Sequence, residues 1–138
     1  MSRRIAREKA LQALFQIDLV NARIDKAIDY VLEQSVLEEH DGQFTRQLVQ
    51  GTWEHLKEID EYIAKYAVQW GIERLANVDR NILRMAIYEM KCVDEVPHSV
   101  TINEAIELAK AFSGDDSAKF INGLLDSVRK NELVTEMK

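Results

Sequence analysis

One proline, Pro97, and five glycines are the only strong backbone breakers in 138 residues. Such a chain has little with which to build the tight turns that a β-sheet requires. Between those breaks apolar residues recur every three to four positions, the repeat of one face of an α-helix. Together these features predict an all-α fold of about seven helices, packed as one domain over residues 1–138. The hydrophobic share of 46% is enough to fill one core at this length.

The first helix is expected from Arg3 to Val20, with Ala6, Ala10, Leu14 and Ile17 on one stripe and Leu11 and Phe15 widening it. A second is expected to start at Asp25 as an N-cap acid and to fade through Glu38 to Gly42. From Gln43 to Trp70 the spacing predicts two helices with a break near Ile59 or Asp60, then a stop at Gly71 and a short piece over Ile72–Leu75. Asn77 reads as the N-cap of a strongly patterned helix through Met90, which ends before the loop at Asp94–Pro97. Thr101-x-x-Glu104 reads as a capping box, or lies inside a helix capped by Ser99. Gly114 reads as a stop, and Asp115, Asp116 and Ser117 offer caps for a last helix carrying Phe120, Ile121, Leu124, Leu125 and Val128.

Little in the chain suits catalysis. His40, His55 and His98 show no His-Glu-x-x-His spacing, and Glu95-x-x-His98 contains Pro97. The glycines at 42, 51, 71, 114 and 123 are too dispersed for a phosphate cradle. Asp115 and Asp116 at a helix start suit capping better than acid–base work. Cys92, the single cysteine, has no partner for a disulfide or a Cys-x-x-Cys motif and reads as a core filler. No metal and no cofactor is expected. Neither an apolar run of about 18 residues nor an apolar signal core after Met1 is present, so the expected location is the cytoplasm, with no membrane contact.

The net charge of −6 argues against a nucleic-acid partner until its distribution is followed. Arg3, Arg4, Arg7 and Lys9 open the chain against Glu8 alone, whereas Asp18, Asp25, Asp29, Glu33, Glu38, Glu39 and Asp41 follow against Arg23 and Lys26. Arginines three to four apart share a helix face, where they repel one another and oppose the helix dipole. A bound phosphate would reverse both effects. The competing reading is a solvated terminus paired with the acidic segment, and the charge pattern alone leaves both open. Phe120 beside Lys119 is likewise either a core aromatic or a ring on which an unpaired base stacks.

Three segments carry a family likeness: Arg3-Arg4-Ile5-Ala6-Arg7-Glu8-Lys9-Ala10-Leu11-Gln12, the run from Val78 to Glu89, and the run from Ile102 to Lys110 continuing in Asp116 to Asp126. In these the chain resembles the NusB family of bacterial transcription antitermination proteins, least so between Asp25 and Gly42. The resemblance implies two packed helical sub-bundles that bind boxA, a short single-stranded RNA element of nascent ribosomal RNA transcripts. It implies a joint partner, NusE, a small-subunit ribosomal protein, and an RNA polymerase complex that also holds NusA and NusG. It leaves monomer and homodimer both open.

Carried over, the RNA contacts fall on Arg3, Arg4 and Arg7, with Ile5 where some relatives have a further arginine, and on Asp116, Ser117, Lys119 and Phe120. The NusE-facing residues fall on Phe15 and Asp79. Arg84, Glu89, Asn103 and Asn122 are expected to brace helices, and Gly123 to permit close approach of a helix or of RNA. Two alternatives stand beside the antitermination adaptor: the RNA-positioning module of an RNA methyltransferase, and a module that binds only protein.

Overall fold

The computed structural model describes residues 2–67 and 75–133, so Gly71 and most of the piece expected over Ile72–Leu75 lie outside the described residues. Those residues form seven α-helices and a closing π-helical turn. The helices are α1 (Ser2–Val20), α2 (Ile24–Glu33), α3 (Glu39–Glu54), α4 (Leu56–Tyr66), α5 (Asn77–Cys92), α6 (His98–Phe112) and α7 (Asp115–Val128), and the π-turn is Arg129–Leu133. The chain divides into two compact units, Met1–Glu54 and His55–Lys138.

In the first unit α1 packs on both α2 and α3. Its fully buried residues include Ala6, Ala10, Ala13 and Leu14, and three alanines on one face let neighbouring helices approach closely. Asn21, with φ 56°, takes the left-handed conformation that asparagine tolerates better than most residues, and so turns the chain out of α1. The second helix does not fade through Glu38–Gly42 as expected. Ser35 Oγ donates to the carbonyls of Val31 (3.2 Å) and Leu32 (3.3 Å), closing α2 early. Glu39 and Asp41 then sit in the first turn of α3, where acids favour the helix dipole.

In the second unit α5 packs against α4, α6 and α7. Every residue from Asn81 to Met90 is buried, as expected of a helix enclosed on all sides. The polar members of that run are matched. Arg84 Nε and Nη2 donate to the two carboxylate oxygens of Asp60, both at 2.9 Å, and Thr101 Oγ1 donates to Glu89 Oε2 at 2.8 Å. Cys92, at the end of α5, is only partly buried.

Several helix ends differ from expectation for local reasons. The break after α3 falls at His55, with φ −105° and ψ 17°, not at Ile59 or Asp60, which lie inside α4. Asn77 is the first helical residue, not the cap, and its side-chain oxygen accepts from Arg80. Pro97 is the residue before α6, so the helix begins at His98, ahead of both expected caps, and Thr101 is spent on Glu89. Gly114 precedes α7 at φ 129° and ψ 174°, backbone that only glycine adopts readily. Gly123 meets nothing within 4 Å at its missing Cβ, which removes close helix packing as its reason.

The π-turn is tied to α4 by Glu132, whose Oε2 accepts from Lys65 Nζ (2.7 Å) and Tyr66 Oη (2.6 Å). The hydrogen bond from Lys65 holds the Glu132 carboxyl below the usual carboxylate range, and the same bond raises Lys65. A depressed carboxyl stabilises the fold above its unfolded pKa, and that contribution is lost as pH falls through the folded value. A raised lysine stabilises below its unfolded pKa and loses this as pH rises through the folded value. Glu132→Gln is therefore expected to flatten the pH dependence of thermal unfolding below about pH 4.5 and above about pH 10. Identical profiles for the variant and the native chain would show that the contact contributes nothing.

Candidate nucleic-acid interface

The opening of α1 is the first cationic surface. Arg4 is exposed, Arg3 is partly exposed, and Arg7 retains only 5% of its surface. Arg3 and Arg7 share one helical face, and that face meets Phe44 of α3. The Arg3 guanidinium carbon lies 3.9 Å from the ring centroid and that of Arg7 5.3 Å, inside the range of a cation–π contact. Thr45, the next residue, donates its hydroxyl to the Ala6 carbonyl at 3.0 Å. This buried bond pins the register of α3 on the first turns of α1.

The charge pattern left a terminus paired with the acidic segment equally open, and the family resemblance treated Arg3, Arg4 and Arg7 as equivalent RNA contacts. The structure separates them: two are set against the negative face of an aromatic ring, and Arg7 is too enclosed to present its whole fork to a ligand. Phe44 escaped the sequence reading because a ring in an apolar stripe looks like any core residue. Its pairing with arginines near the chain start is a tertiary fact.

The second surface is the α6–α7 junction. Ser113 Oγ and Ser117 Oγ donate to the two oxygens of Asp79 at 2.6 and 2.9 Å, and the hydroxyls lie 2.9 Å apart. Three helices thus meet in one closed cluster. Asp79 is 8% exposed, so the residue expected to face a protein partner and the one expected to touch RNA are hydrogen-bonded to each other. Ser113, which the sequence did not single out, completes the cluster. Its position just past the end of α6 was the available signal.

Asp116 and Lys119 are exposed on α7, and Phe120 is partly exposed. Beside them lies an open hollow of about 360 Å³ lined by Ile106, Lys110, Asp115, Ala118, Lys119 and Asn122. Two lysines on this hollow give it an anion-binding character that Asp115 partly offsets. Lys110 was another residue not singled out. Phe15, on α1, is partly exposed. Arg3, Arg4, Arg7 and Phe15 belong to the unit Met1–Glu54, and Asp79 with the α7 residues to His55–Lys138.

Among the described residues one group could be considered for a metal, Glu38, His40 and Asp41. The two nitrogens of the His40 ring face different carboxylates, Nδ1 toward Glu38 at 3.7 Å and Nε2 toward Asp41 at 3.5 Å. One donor atom from each of the three residues lies within 4.8 Å of the others, and Glu38 and His40 are exposed.

Fold and surfaces define an all-α protein with a cationic helix opening and a lysine-bearing hollow at a second helix start. A family model described as the NusB family matches residues 4–130, and the chain belongs to that family. It is 49% identical over 131 residues to the transcription antitermination protein NusB of Bacillus subtilis (strain 168), covering 95% of this chain and 97% of that protein. It is 50% identical to the protein of the same description from Symbiobacterium thermophilum, covering 93% and 89%.

Among solved structures, T. maritima NusB is similar at a TM-score of 0.87 and 35% identity, covering 94% of this chain and 91% of that one. A chain in a crystal structure of the antitermination factors NusB and NusE in complex with dsRNA is similar at 0.86 and 26%, covering 94% and 96%. No described helix is long and apolar enough to cross a membrane.

Proposed function

We propose that this chain is a transcription antitermination factor that binds boxA RNA of nascent ribosomal RNA transcripts together with NusE and joins the RNA polymerase complex that holds NusA and NusG. It acts as one domain in the cytoplasm, without catalysis and without a cofactor. The observation that carries this reading is likeness over nearly the full length to proteins described as antitermination factors, 97% of the B. subtilis protein being covered. The likeness to a chain solved with NusE and RNA supports both partners.

In this reading Arg3 and Arg4 contact phosphates, with Arg7 behind them adding charge from a mostly buried position. Lys119 adds a second cationic contact, Phe120 offers a stacking ring, and Asp116 and Ser117 shape the start of α7 beside it. Phe15 faces NusE, whereas Asp79, 8% exposed with both oxygens held by Ser113 and Ser117, serves NusE binding by ordering the start of α7 on α5.

The test is a binding titration with single-stranded boxA RNA, a scrambled strand and a boxA duplex, each with and without NusE. Tightest binding to the boxA strand and a gain in affinity on adding NusE are expected. Equal affinity for boxA and scrambled strands, unchanged by NusE, would overturn the reading.

A further inference from the structure

A guanidinium group can be held in two ways with opposite consequences for ligand binding. An ion pair spends its in-plane N–H donors on a carboxylate. Stacking on an aromatic face uses the plane of the group and leaves the donors at its edge directed outward. Arg3 is held in the second way, 3.9 Å from the Phe44 centroid, and remains partly exposed.

Phe44 itself is 4% exposed, so its ring is fixed by packing. The Thr45 hydroxyl bond to Ala6 carbonyl fixes the backbone on either side of the contact. The ring also lies 5.3 Å from the Arg7 guanidinium carbon. Two like charges that would otherwise repel at a helix start are thereby both set against the π-system of one ring.

We propose that Phe44 is a positioning residue for RNA binding: its ring, touching no RNA, orders the Arg3 guanidinium with its donor edge outward, so that the fork meets a phosphate without first being immobilised. The proposal rests on the reading that Arg3 contacts RNA phosphate. Ordering a long side chain before binding removes part of the entropy cost of the contact. A leucine or methionine of similar bulk fills the space but offers no quadrupole.

The test is a double-mutant cycle on the full chain, with affinity for single-stranded boxA RNA measured at fixed salt for the native protein, Phe44→Leu, Arg3→Ala and the combination. Phe44→Met is carried in parallel in case Phe44→Leu fails to fold. We expect Phe44→Leu to weaken binding about threefold, and the combined variant to bind no more weakly than Arg3→Ala alone. A ring that mattered only for packing would give losses that multiply.

Loss in Arg3→Ala with none in Phe44→Leu or Phe44→Met, or losses that multiply, overturns the positioning role and leaves the RNA reading standing. No loss in Arg3→Ala overturns the phosphate contact and the positioning role together.

Discussion

Asp60→Ala is expected to lower the stability of the unit His55–Lys138 by about 3 kcal/mol. The Arg84 side chain is 8% exposed and Asp60 25%, and the paired bonds at 2.9 Å take both carboxylate oxygens. Removing the carboxylate takes from a buried guanidinium both of its 2.9 Å charge-assisted bonds, with Asn81 Oδ1, at 3.3 Å, a longer and neutral contact. The exposure of Asp60 keeps the estimate at the low end, because water reaches part of the pair.

The loss largely disappears if both partners are replaced. Asp60→Leu combined with Arg84→Met is expected to unfold within about 1 kcal/mol of the native chain, since an apolar pair of similar bulk avoids the desolvation cost. Urea unfolding measures both, and a loss under 1 kcal/mol for Asp60→Ala would show that the pair braces α4 on α5 no better than water does.

The second large effect is functional. Arg3→Ala with Arg4→Ala is expected to weaken boxA binding about tenfold near 0.15 M salt, the counterion-release contribution of two phosphate contacts on a single strand. Arg7 is left in place because it is 95% enclosed, and truncating it would mix lost packing with lost charge. Helicity should be unchanged, since alanine favours a helix and the repulsion between neighbouring guanidinium groups is relieved. Unchanged affinity in a folded double variant would locate the RNA contact elsewhere, with the Lys110–Lys119 hollow the next surface to test.

How much of this was legible in the sequence depends on the element. The helices α1, α5 and α7 were readable because their apolar repeats are long and uninterrupted. The α2–α3 boundary was misplaced because closure by Ser35 is a side-chain event with no periodicity, and because Gly42, a nominal breaker, sits in α3 with only ordinary contact, 3.9 Å to Leu32. The α3–α4 break at His55 carries neither glycine nor proline. Thr101 fits a capping pattern, yet a buried acid on another helix claims its hydroxyl.

At the candidate site, charge clustering and family likeness singled out the start of α1 but treated its arginines as alike. What distinguishes them is which side of α1 faces α3, and this depends on residues far away in the chain. The same holds at the α6–α7 junction. Asp79, Ser113 and Ser117 are unremarkable singly, and only the packing of α5 against α6 and α7 closes their cluster.

Neutralisation of RNA phosphates by cations at the start of α1 is read from the slope of log affinity against log salt for single-stranded boxA RNA, compared between the native chain and the Arg3→Ala, Arg4→Ala variant. The slope is expected to be shallower by about 1.4 in the variant, two contacts at about 0.7 each. Parallel lines with equal slopes would mean that these arginines neutralise no phosphate.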